Sequence, residues 1–211
     1  MSPIEQFWWN WTVQAAAAIA TFLAVFVALF GDWIKSRLFQ PSLRLRLVNP
    51  RGEGTKTNLL APTGQTRQES ARVFHVEVAN SVRWPNATQV QVFLIRVEDF
   101  GPDGKPTVSW DGELPMRWRL QEINPLLRTV GAPAQCDLLV AVKGKWIELQ
   151  PLVTPNNLDA RREGKTDVIV TLQARSAEGF SPFLRLRISW DGQWDDGELE
   201  MTRHLVINEC G

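Results

Sequence analysis

Three segments carry arginine at alternate positions: Arg44 with Arg46, Arg117 with Arg119, and Arg185 with Arg187. Each pair sits in a strand-like run, where alternation sets both guanidinium groups on the face opposite the apolar residues. A guanidinium offers a planar fork of N–H donors that matches carboxylate and phosphate. If two of these strands are neighbours, four guanidinium groups share one surface. That surface would suit anionic headgroups, a nucleotide phosphate or an acidic protein partner. The competing reading is an ordinary solvated sheet face, balanced by acids such as Glu77 and Glu98. The six arginines are the candidate anion-binding residues.

Other chemistry is sparse. The two histidines, His75 and His204, fall in strand-like runs far apart in sequence. No H-x-x-x-H, C-x-x-C, G-x-S-x-G, Walker-type or G-x-G-x-x-G pattern occurs. Cys136 precedes Asp137 in an apolar run and reads as a strand residue; Cys210 is penultimate. Two free thiols are compatible with a reducing compartment. The sequence therefore names no catalytic residue, no metal ligand and no cofactor, and the expectation is a non-enzyme. Lys+Arg and Asp+Glu both total 23, which removes the simplest argument for a nucleic-acid partner.

The elements that would position these arginines read as strands. Leu43, Leu45 and Leu47 alternate with Arg44 and Arg46. Phe74, Val76 and Val78 alternate with His75 and Glu77, and Val168, Val170, Leu172 and Ala174 repeat the pattern. Leu184, Leu186, Ile188 and Trp190 do so again, and residues 204–208 make a last short strand. Residues 90–98 are apolar on both faces, as in a central strand. Period-2 runs between Gly, Pro, Asn and Asp clusters predict one antiparallel β-sandwich over residues 41–211. Phe74, Val76, Val78, Phe93, Ile95, Val168, Val170, Leu186 and Ile188 are its expected core. Asp103-Gly104, the two Ser-Trp-Asp-Gly stretches at 109–112 and 189–192, and Trp-Asp-Asp-Gly at 194–197 are expected turns. Residues 155–163 have room for a short helix at most.

Residues 1–40 are different. Thr12 to Phe30 contain no charged side chain, enough helix to cross the ~30 Å hydrocarbon core of a bilayer. Trp8, Trp9 and Trp11 at one end and Trp33 at the other suit the two headgroup levels. The first ten residues lack the Lys or Arg of a signal peptide. Lys35, Arg37, Arg44, Arg46 and Arg51 follow the span and none precedes it. The expected topology in an inner (cytoplasmic) membrane is N-terminus out and C-terminal domain in the cytoplasm. Ala16, Ala20, Ala24 and Ala28 form a small-residue stripe that would let two helices approach closely, giving a homo-oligomer.

The stretch H-V-E-V-A-N-S-V-R-W-P-N-A-T-Q-V-Q-V-F-L, from His75 to Leu94, resembles the strand–Asn–loop–Ala–strand pattern of bacterial immunoglobulin-like sandwich domains. The later M-R-W-R-L-Q-E-I-N-P, P-A-Q-C-D-L-L-V-A and L-R-I-S-W-D-G-Q-W-D-D-G-E-L-E-M are similar to stretches of uncharacterised bacterial single-pass membrane-anchored proteins of this kind. The usual loop Gly after Asn80 is replaced by Ser81-Val82-Arg83-Trp84. The resemblance implies an immunoglobulin-like sandwich and carries over no catalytic residue and no defined ligand. The expected function is a membrane-anchored binding or scaffolding module that recruits or senses a cytoplasmic protein or an anionic ligand. The alternative is an oligomerising membrane effector of a bacterial stress or phage-defence system that perturbs the bilayer when triggered.

Overall fold

The computed structural model describes residues 3–38, 40–60, 66–82, 85–101, 103–119 and 127–210. The chain divides into two compact units, Met1–Gln40 and Pro41–Gly211. The first is one helix, α1 (Pro3–Leu38). Its Trp8–Gly31 portion is long and apolar enough to cross a membrane, and its most apolar stretch contains no buried residue.

The second unit is an antiparallel β-sandwich. In chain order its strands are β1 (Leu43–Leu47), β2 (Glu53–Leu60), β3 (Thr66–Asn80), β4 (Ala87–Phe100), β5 (Pro106–Pro115) and β6 (Arg128–Val130). There follow β7 (Ala134–Val142), β8 (Trp146–Leu149), β9 (Arg161–Glu163), β10 (Thr166–Arg175), β11 (Leu184–Trp190) and β12 (Leu205–Glu209), with one helical turn, α2 (Glu198–Met201), before β12. One sheet runs β1-β3-β7-β8-β9, with β2 also paired to β3. The other runs β12-β11-β10-β4-β5, with β6 also paired to β4.

Alternation explains which face each residue takes. Leu45 pairs with Val78 and Leu47 with Val76, so the leucines of β1 extend the apolar row of β3. Val168 and Val170 of β10 pair with Ile188 and Leu186 of β11 and supply the opposing row. Phe74, Val76, Val78, Val170, Leu186 and Ile188 are at most 1% exposed and belong to one core shared by both sheets. Trp118 is fully buried beside them. Leu138 is an extra residue in β7, because Phe74 pairs with Leu139 and His75 with Asp137. This bulge adds Leu138 to the core.

Three expectations change. Phe93 and Ile95 are only half-buried: β4 is apolar on both faces, but Val90, Val92, Leu94 and Val97 take the core side. The Arg175 guanidinium covers the Phe93 ring at 5.1 Å. The Ser-Trp-Asp-Gly at 109–112 is no turn; it lies inside β5, where Asp111 pairs with Arg96 and Trp110 with Val97. The copy at 189–192 does turn, with Gly192 at φ +88°. Residues 161–163 form β9 rather than helix, and the helical turn falls at Glu198–Met201.

Gly52 links β1 to β2 and has two reasons to lack a side chain. Its φ is +70°, and a Cβ there would sit 2.7 Å from the Phe74 ring.

Candidate functional site

In α1, Ala16, Ala20, Ala24 and Ala28 are all exposed. Phe22, Phe26 and Phe30 line another stripe, with successive ring centroids 6.4 and 4.9 Å apart. At ~100° per residue the two stripes lie on opposite sides of the helix. Trp8, Trp9 and Trp11 are exposed, and the Trp8 and Trp11 rings meet edge to face at 6.3 Å. The Trp33 side chain lies outside the described residues.

The three arginine pairs are not neighbours. Arg44 and Arg46 lie on β1 in the first sheet, and Arg185 and Arg187 on β11 in the second. Arg117 and Arg119 flank Trp118, which bridges to Cys136 on the far side of β7 from β3. Two strands, β3 and β7, therefore separate Arg46 from Arg119. Most of these guanidinium groups already meet acids. Arg46 lies 2.7 Å from Glu77, Arg119 is 2.6 Å from Glu53, and Arg185 is 2.9 Å from Glu98. Arg187 donates to both oxygens of Asp167 at 2.9 and 2.6 Å and covers the Phe100 ring at 4.3 Å. The Arg187 hydrogen bond holds the Asp167 carboxyl below its ordinary range, with Ser189 assisting against partial desolvation. Arg44 and Arg117 are exposed. Glu77 and Glu98, named beside the arginines in the sequence, meet Arg46 and Arg185, while Glu53 and Asp167 meet Arg119 and Arg187.

On the outer face of the first sheet one row runs Arg46, Glu77, Gln135 and Arg119, set by the β1–β3 and β3–β7 registers. Arg119 donates to both Glu53 oxygens and to Gln135 Oε1. Beneath it His75, only 5% exposed, has Nδ1 3.0 Å from Asp137 Oδ1 and Nε2 3.9 Å from Glu53 Oε2. The Nδ1 approach lies outside hydrogen-bond geometry, and the atom has no other partner. The second histidine, His204, places Nδ1 2.8 Å from Asp191 near the surface. Neither histidine adjoins the Cys136 thiol, which is buried on the core side and pushed up to about 12 by that burial. A thiol so disfavoured as thiolate is a packing residue.

The least balanced charge lies elsewhere. The registers of β2 and β3 pair Gly54 with Arg72 and Lys56 with Ser70. Paired residues share a face, and Arg72 continues the row Phe74–Val76–Val78. Arg72 therefore occupies the core side near the middle of β3 (Thr66–Asn80). It is 5% exposed. Its Nη1 and Nη2 donate to the carbonyl oxygens of Arg51 and Asp196 at 3.4 and 3.2 Å, and its Nε has no partner among the described residues. Among the described residues no carboxylate lies in ion-pair range of it. An open cleft of about 440 Å³ adjoins it, lined also by Gly54, Lys56, Ser70, Trp194 and Asp196. The Asp196 carboxylate is committed to Lys143 Nζ at 2.5 Å and Trp194 Nε1 at 2.8 Å. Those hydrogen bonds, the Lys143 one first, hold its carboxyl below the ordinary range.

Sequence reasoning passed over Arg72. Its signal was the alternation itself: the apolar row of β3, extended two residues back, puts an arginine on the core face. Trp194 and Asp196 could not be placed from sequence, because they come from the β11–α2 loop.

Comparison with known protein families, curated proteins and solved structures finds no match to this chain.

Proposed function

We propose that the protein is a membrane-anchored binding module, in which α1 holds the sandwich at a bilayer and the sandwich engages a soluble partner. The observation that carries this reading is the unburied apolar helix. No residue in the most apolar part of Trp8–Gly31 is buried, and Phe22 and Leu29 are 69% and 71% exposed. Such a surface is stable in lipid and costly in water. The sandwich has its own closed core, so it needs the helix for location and not for folding. Tethering raises the effective concentration of whatever it binds near the membrane.

The charge asymmetry supports N-terminus out and a cytoplasmic sandwich at the inner membrane of a bacterium. The alanine stripe, opposite the phenylalanine stripe, supports self-association of α1.

The test is extraction and topology of the full chain. It should resist alkaline carbonate, and a cytoplasm-active reporter at Gly211 should work where a periplasm-active one does not. Release by carbonate sinks the anchor; activity of only the periplasmic reporter sinks the orientation. Ala20→Leu with Ala24→Leu should weaken crosslinking between copies without reducing insertion. Loss of membrane potential on overproduction, relieved by that double change, would favour the oligomerising effector over the binding module.

A further inference from the structure

We infer that the cleft beside Arg72 is a binding site for a small phosphate ester bearing a planar ring, the class to which mononucleotides belong. The inference deepens the binding-module reading by naming a ligand class.

The argument begins with the cost of the arginine. A guanidinium held out of water retains its charge, so it needs compensation by anions or hydrogen bonds. The described arginines on the outer sheet faces at Arg46, Arg96, Arg185 and Arg187 each meet a carboxylate. Arg72, far more buried, meets two carbonyl oxygens, one at the long limit of a hydrogen bond, and leaves Nε unsatisfied. An oxyanion in the adjoining cleft would supply the missing charge. Lys56, on the same face one pair along β2, adds a second cation, and Ser70 adds a hydroxyl donor. The single acid of the lining, Asp196, pairs with Lys143 and reaches Arg72 only through a weaker coulombic interaction, which offsets part of the guanidinium charge and leaves Nε open. Phosphate is the oxyanion that uses a guanidinium, an ammonium and a hydroxyl together.

The ring follows from Trp194. Its indole lines the cleft and is fixed at Nε1 by Asp196, two residues on in the same loop. An aromatic wall beside a phosphate-sized cationic floor suits a planar heterocycle joined to a phosphate. The cleft volume of about 440 Å³ falls within the range for small-molecule sites.

Gly54 provides a clean test. A Cβ built there meets nothing within 4 Å, its backbone angle is ordinary, and it faces the cleft beside Arg72. Gly54→Leu should fill the cleft without disturbing the fold. The full chain in detergent is titrated calorimetrically with the four 5′-mononucleotides, inorganic phosphate, the matching nucleosides and short-chain phosphatidic acid. At least one mononucleotide should bind and raise the melting temperature. Inorganic phosphate should bind at least tenfold more weakly, and nucleosides and phosphatidic acid more weakly still. Gly54→Leu and Arg72→Met should each weaken the mononucleotide at least tenfold, while Arg187→Ala should leave it unchanged. Absence of binding by all mononucleotides, or equal binding by parent and Gly54→Leu, overturns the site. Phosphate equal to the best mononucleotide overturns the ring contact, and preference for phosphatidic acid overturns the soluble ligand. None of these outcomes touches membrane extraction, so failure of the ligand and failure of the anchor are read separately.

Discussion

Arg187, on the outer face of the second sheet, and Arg72, on the core side of the first, are treated differently. Arg187 is half-exposed, grips both oxygens of Asp167 and covers an aromatic ring. Arg72 is almost wholly buried, donates to carbonyl oxygens alone and feels the Asp196 carboxylate only from beyond ion-pair range. Water would have tolerated the first without a partner, while burial makes the second expensive. Charge is thus saturated where saturation matters least. A deficit of counter-charge inside a fold points to a site more sharply than a surplus of arginine on its surface.

The comparison breaks most readily at Arg72 itself. Arg72→Glu would place a carboxylate against the carbonyls of Arg51 and Asp196, and should cost about 3–5 kcal/mol or prevent folding. Equilibrium denaturation measures it, and a loss below ~1 kcal/mol would show that Arg72 is not truly sequestered. Phe74→Ala should cost about 3–5 kcal/mol, since the ring is 1% exposed and packs under Gly52. Cys136 gives a convenient readout for both: its thiol should react with alkylating reagents only on unfolding.

Arg72→Met is the sharper variant. It removes the buried charge while keeping the stem, and stability without ligand should stay within about 1 kcal/mol of the parent. A loss of ~3 kcal/mol or more would mean that the guanidinium is compensated in the unliganded fold.

The smallest effect belongs to the surface. Asp167→Asn should cost less than about 1 kcal/mol at neutral pH, because Arg187 remains solvated. Its signature is the pH dependence. The folded carboxyl is held low, chiefly by Arg187, so its stabilisation is present above the ordinary aspartate range and is lost as pH falls through the folded value. Melting curves taken downward from pH ~5 should therefore fall less steeply in Asp167→Asn than in the parent. Parallel curves would show that the pair contributes nothing.

Much of this architecture was legible in alternation. The rows of β1, β3, β10 and β11 were read correctly because each presents one core face and one wet face. β4 misled at Phe93 and Ile95, since an apolar residue on both faces does not say which face finds the core. β2, with Gly54, Lys56 and Asn58 along one face, has no apolar row to announce it. The Ser-Trp-Asp-Gly at 109–112 has the residues of a turn yet stays paired with β4, with a register shift on either side, because Trp110 is held in the core, 7% exposed. The arginine pairs were visible as pairs, but their separation depends on strand order, which period-2 patterning leaves open. The cleft needed a loop brought over from the opposite sheet, and no local pattern encodes that.

The pairing of β4 with β10 fixes when the molecule can assemble. Arg96 of β4 faces Thr171, and Phe93 faces Gln173, so the centre of the second sheet joins residues made well apart in time. During synthesis β4 waits without that neighbour until residues 166–175 appear. Domains dominated by such distant pairings fold in milliseconds to seconds. A nascent chain spends that interval with the β4 edge open. The charged outer faces, with arginine and acid alternating across neighbouring strands, impose a defined register that a mismatched copy would have to reproduce. They serve the growing chain as a safeguard against pairing with the wrong one.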